Sequence, residues 1–205
     1  SDLVLNFAYI FEVSEAETIA MGYTPENKDD FIETVQIEAP TQSAPIVCIM
    51  DSGVQEEHKY LAPSISSDES ISLLPNNTST SDEVAGGGHG TRVAGAVLYP
   101  KAVPLDGVYQ LPCWIRNMRI LDENNCLPES VYPPKAIAIA VQKYNVENQI
   151  PTKIFNHSIG SHRPCEMKHM TPWAAEIDSQ SYNHDVLFIQ AAGNISTDVI
   201  SAYWQ

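Results

Sequence analysis

The sequence predicts an α/β fold, a doubly wound parallel sheet with helices on both faces. Two observations carry this expectation. Short, continuous apolar runs recur at Ile46–Met50, Trp114–Leu121 (broken by charges), Lys153–Phe155 and Val186–Ala192, as strands buried on both faces require. Helical segments fall between them, and such strand–helix alternation is what builds a parallel sheet.

From the N-terminus, Leu3, Leu5, Phe7, Tyr9, Phe11 and Val13 alternate loosely with polar residues and read as a strand. Ser14 with Glu17 three residues later forms a capping-box pattern for a short helix ending at Met21-Gly22. Phe31 to Ile37 reads as a second short element. Pro40-Thr41-Gln42-Ser43-Ala44-Pro45 is then an extended connection. A boundary is placed there, giving a small N-terminal α+β segment over 1–44 and an α/β domain over 45–205.

Three helices are expected beyond the boundary. Gly90–Leu98 carries small and apolar residues suited to burial, Lys135–Tyr144 carries Ile137, Ile139, Ala140, Val141 and Tyr144, and Trp173–Tyr182 places Trp173, Ile177 and Ser181 on one stripe. Ser64–Glu83, rich in Ser and Thr with few apolar residues, reads as a solvated loop.

The 205 residues carry a formal net charge of −15. A nucleic-acid partner is therefore disfavoured, because phosphate binding depends on clustered Lys and Arg. No apolar run is long enough to cross a bilayer, so no membrane association is expected. The four cysteines, Cys48, Cys113, Cys126 and Cys165, lie far apart, with no Cys-x-x-Cys pair. Isolated buried thiols are the favoured reading, with up to two disulfides left open. That pattern, and an N-terminus lacking a basic leader, slightly favour a cytoplasmic location. A secreted parent whose leader has been removed is the alternative.

Four short motifs carry chemistry. Asp51-Ser52-Gly53 follows the first apolar run, so Asp51 stands at the carboxyl end of a strand, the functional edge of a parallel sheet. His89-Gly90-Thr91 follows three glycines, which permit close backbone approach, and opens a helix. Ser158-Ile159-Gly160, just after Lys153–Phe155, leaves an extended edge on which a peptide can add as a strand. Asn194 closes Ala191-Ala192-Gly193-Asn194 after the last run, where its amide can donate to a developing oxyanion.

In this order the four motifs resemble the subtilase (peptidase S8) family of subtilisin-like serine proteases, from about Pro45 to Asn194. The resemblance implies an Asp-His-Ser triad in which Asp51 orients His89, and His89 acts as general base and then general acid. It implies Asn194 as oxyanion donor and Ser158, Ile159 and Gly160 as the segment that binds a peptide or protein substrate. No cofactor or metal follows from it. The family's nucleophile lies in a Gly-Thr-Ser-x-Ala-x-Pro segment well beyond the oxyanion Asn, and no such segment occurs here. The expectation is therefore the front portion of a serine endopeptidase, inactive by itself. The rival readings are a non-catalytic subtilase-like module that binds peptide or a partner, and a metal-dependent hydrolase using Asp51, His58 and His89. The Asn-x-Ser/Thr matches at Asn76, Asn77, Asn156 and Asn194 are read as chance.

Overall fold

The computed structural model describes residues 35–85, 88–160 and 170–191. The expected strand and helix within 3–22, and Asn194, lie outside them. The described residues belong to the compact unit Thr34–Gln205.

Its centre is a five-stranded sheet in which every pairing is parallel. We number the strands β1 (Gln36–Glu38), β2 (Ile46–Asp51), β3 (Ile71–Ser72), β4 (Val108–Gln110), β5 (Trp114–Arg119), β6 (Ile154–His157) and β7 (Leu187–Gln190), and the helices α1 (Gly90–Leu98), α2 (Pro133–Val141) and α3 (Pro172–His184). The sheet order is β3-β5-β2-β6-β7, while β1 and β4 pair separately. All four predicted runs are strands. The doubly wound arrangement is visible in the alternation of β2: Val47 and Ile49 join Ala94 and Leu98 of α1 in one core, and Cys48 and Met50 join Ile137, Ala140 and Val141 of α2 in the other. Trp173 and Ile177 of α3 pack on that second core.

The chain leaves β2 for the edge strand β3, returns to β5 through α1, and then crosses to β6 and β7 through α2 and α3. The steps from β3 to β5 and from β5 to β6 run the same way along a parallel sheet, yet α1 and α2 cover opposite faces, so these two crossovers are of opposite hand, against the usual right-handed rule. The connections that leave β2 and β6 run to opposite sides, so a crevice opens outside the carboxyl ends of these two strands.

Helix boundaries follow local chemistry. Thr171 caps α3 by accepting a hydrogen bond from the Ala174 amide, with Pro172 in the first turn, and Asp185 ends the helix in the left-handed region at φ 52°. The predicted Lys135–Tyr144 helix starts two residues earlier, at Pro133, and passes into a wider π turn over Gln142–Val146.

Ser64–Glu83 departs from expectation. It contains buried Ser64, Leu74 and Asp82, and it supplies β3. Two arginines of β5 anchor it. Arg116, 2 % exposed, forms a forked pair with Glu69 (3.1 Å and 3.1 Å) and also reaches the carbonyls of Tyr144 and Ile150. Arg119 donates to Glu83 at 2.9 Å and to the Ser79 carbonyl at 3.2 Å. A stretch of Ser and Thr looks solvated when its partners lie decades of residues away.

Among the described cysteines, Cys48 and Cys113 are buried thiols and Cys126 is an exposed one. Burial pushes the Cys113 thiol up to about 11. No described helix is long and apolar enough to cross a membrane.

Candidate active site

Asp51 is the last residue of β2 and His89 immediately precedes α1, so strand end and helix start bring them together across 38 residues of chain. His89 Nδ1 lies 2.7 Å from Asp51 Oδ1, which also accepts the Ser52 amide at 2.7 Å. The carboxylate is fully buried, whereas the His89 side chain is 38 % exposed. With Nδ1 committed to Asp51, Nε2 is the nitrogen left for proton transfer. Burial pushes the Asp51 carboxyl above its ordinary range, and the hydrogen bonds from His89 and Ser52 pull it back only in part. Its second oxygen, Oδ2, has no hydrogen-bond partner.

The close approach depends on glycines. Gly53 turns the chain out of β2 at φ +102°, with the Thr80 carbonyl 2.5 Å from where a β-carbon would sit. At Gly90 a β-carbon would collide with the Gly53 carbonyl and stand 3.0 Å from Asp51 Cβ. The glycine after each acidic or imidazole motif therefore lets helix start and strand end touch.

A further acid, Asp82, closes the arrangement. It is 4 % exposed and accepts hydrogen bonds from Ser52 Oγ at 3.0 Å and the Thr91 amide at 2.8 Å. Neither Asp82 nor Ser52 was assigned a role from sequence. The only available signal was an acid a few residues before His89, and an isolated Asp among Ser and Thr has no local signature.

Ser158, Ile159 and Gly160 continue directly from β6. Since Ile49 pairs with Asn156, extending the ladder two places sets Ser158 level with Asp51. Ser158 Oγ accepts from Asn156 Nδ2 at 2.8 Å, Ile159 is buried in the α2–α3 core, and Gly160 is exposed. Beneath them, buried His157 meets Gln190 of β7 through Nδ1 and Oε1 at 2.6 Å, and Gln190 Nε2 donates to the carbonyls of Ile159 and Ala191. Burial lowers the tendency of His157 to take a proton, against the opposing pull of Gln190. The Trp173 ring stands edge-on to His157 at 5.0 Å.

The structure thus places Asp51 and His89 in contact, with Ser158–Gly160 along the neighbouring strand. His58 does not join them: its ring packs against Tyr60. Among the described residues no group of three His, Cys, Asp or Glu side chains could hold a metal ion.

Comparison with known proteins agrees with this architecture. A profile described as the subtilase family matches residues 42–203. Among solved structures, a cold-adapted subtilisin-like serine proteinase is 20% identical with a TM-score of 0.52, the match covering 73% of this chain and 46% of that one. The serine protease of Aeromonas sobria, crystallised with a chaperone, is 16% identical with a TM-score of 0.50, covering 73% of this chain and 25% of that one. The chain therefore spans less than half the length of these proteases. No curated protein matches.

Proposed function

The chain belongs to the subtilase family, and from that premise we propose that it supplies the aspartate and histidine of a serine endopeptidase whose nucleophilic serine lies outside these 205 residues. The observation that carries the reading is the 2.7 Å contact between His89 Nδ1 and Asp51 Oδ1 at the carboxyl edge of a parallel sheet.

In this reading Asp51 holds the imidazole in the tautomer that leaves Nε2 unprotonated. Nε2 takes the proton of the serine hydroxyl as it attacks the scissile carbonyl, then delivers it to the departing amine. The buried carboxylate stabilises the imidazolium formed in between. Ser158–Gly160 hold the peptide as an added strand, through backbone hydrogen bonds that select little for side chains. The Asn194 amide donates to the oxyanion. Residues 45–205 are then the N-terminal part of the catalytic domain, and residues 1–44 an extension or prodomain-like segment. The substrate is a peptide or protein, and the chemistry calls for no cofactor.

The test is hydrolysis of a fluorogenic peptide and labelling by a fluorophosphonate in the full-length protein. His89→Ala should lower turnover by about 10⁴- to 10⁶-fold, the range that loss of a triad member costs in serine proteases. The 205-residue chain by itself should show neither reaction. A well-folded full-length protein that neither cleaves nor labels would instead be a peptide-binding module.

A further inference from the structure

A single buried carboxylate ties down both partners of the Asp51–His89 contact. Asp82 Oδ1 accepts from Ser52 Oγ at 3.0 Å and from the Val84 amide at 3.3 Å, while Oδ2 accepts from the Thr91 amide at 2.8 Å. Ser52 has one hydroxyl proton. Because that proton is given to Asp82, the same oxygen is left to accept the Gly90 amide at 2.9 Å. The first two backbone amides of α1, on the residues directly after His89, therefore both end at Asp82, one directly and one through Ser52. On the other side, the Ser52 amide donates to Asp51 Oδ1 at 2.7 Å.

These bonds need an acceptor at both oxygens. An amide side chain offers one acceptor and would turn its NH₂ group toward a proton on Ser52 or Thr91. An anion at this place also answers the unpaired amides of the helix start, where negative charge is favoured. The loop bearing it is itself held, since the Asp82 carbonyl accepts from Gln55 Nε2 at 2.6 Å and neighbouring Glu83 is paired with buried Arg119.

We propose that Asp82 is a positioning residue for the proton transfer: it fixes the His89 backbone against the end of β2, so that the imidazole keeps its contact with Asp51 as the proton passes through it. The inference rests on the serine-protease reading for its kinetic consequence, but not for its geometric one.

The test compares Asp82→Asn with the unaltered full-length protein. Turnover should fall by roughly 10- to 100-fold with KM within about twofold, since a small misplacement of a catalytic group is costly while no substrate contact is lost. In parallel, NMR of the His89 Nδ1 proton reads the contact itself. The unaltered protein should show a downfield, exchange-protected resonance that Asp82→Asn broadens or loses. Ser52→Ala, which deletes only the hydroxyl relay, should give a smaller change of the same kind and decides the matter if Asp82→Asn does not fold. A variant that melts at lower temperature yet keeps kcat and the His89 resonance would reduce Asp82 to a structural acid and overturn the proposal. Should the unaltered protein show no turnover, the protease reading falls, and the resonance still tests the role of Asp82.

Discussion

The two sides of the β2 carboxyl end are built from different chemistry. Toward β5 and α1 the buried polar groups include three ionisable ones, Asp51, Asp82 and Arg119, beside Ser52 and Asn117, with Glu83 at the rim. Toward β6 and β7 the polar groups are neutral ones, buried Asn156, part-buried Ser158 and exposed Gln190, with buried His157, whose protonation burial disfavours. Charge is thus concentrated where a proton would move, and amides and hydroxyls stand where a peptide backbone would lie. A peptide backbone is itself neutral, and its recognition needs donors and acceptors that do not change with pH. The same substitution strategy should therefore give opposite signatures on the two sides: loss of turnover on the first, loss of affinity on the second.

The sharpest way to break that contrast is Asp51→Asn. The variant should lose about 10⁴-fold in turnover, because an amide no longer holds the histidine in its working tautomer. It should nevertheless be more stable at neutral pH. With its carboxyl raised above the unfolded value, Asp51 contributes most to stability below the ordinary carboxylate range, and that contribution is lost as pH rises through the raised value. An asparagine removes this cost together with the unpartnered charged oxygen at Oδ2. Thermal melting at pH 7 and peptide turnover check the two halves, and a variant both inactive and less stable would show that the contact with His89 repays the burial of the charge.

On the neutral side, Gln190→Ala should act on affinity. It removes the donor to the Ile159 carbonyl and the partner of His157, loosening the segment that would receive the peptide. Losing about one neutral hydrogen bond's worth of free energy, ~1 kcal/mol, corresponds to a KM roughly fivefold higher, with kcat changed less than KM. Steady-state kinetics over a range of peptide concentrations separates the two. A fall confined to kcat would place Gln190 with the proton-transfer groups and erase the distinction between the sides.

How far this contrast could be read from sequence also differs between the sides. Asp51 and His89 were legible because each sits in a short pattern with a physical reason: an acid at a strand end, an imidazole at a helix start, and a glycine after each where a side chain would collide. Helix α1 matches its expected bounds Gly90–Leu98, since its small and apolar residues suit burial directly after a glycine run. Asp82 was not legible, and neither was the order in Ser64–Glu83. Both depend on partners far along the chain, Ser52 and Thr91 for the one, Arg116 and Arg119 for the other. The charges inside the β5 run interrupted its apolar pattern and were in fact the sign that some neighbouring loop had to bring carboxylates. Strand β1 overlaps the expected element Phe31–Ile37 only at Gln36 and Ile37 and β4 was not expected, because three residues with exposed ends leave no period to detect.

The smallest expected effect tests whether the neutral side is neutral by design of its burial. His157 is 2 % exposed and holds its proton less readily than a free histidine, because burial disfavours the imidazolium. The folded state therefore stays unprotonated at a pH where the unfolded chain, titrating near about 6.5, already binds a proton. Stability from this group is complete above that pH and declines as pH falls below it, levelling off once the folded form protonates as well. His157→Asn keeps a donor for Gln190 Oε1 and removes the titration. Between pH 7 and pH 5 the unaltered chain should lose more in urea midpoint than the variant does, with the background from the carboxylates and the other histidines common to both. Equal losses would mean that His157 protonates in place, and the substrate side would then carry a charge at acidic pH after all.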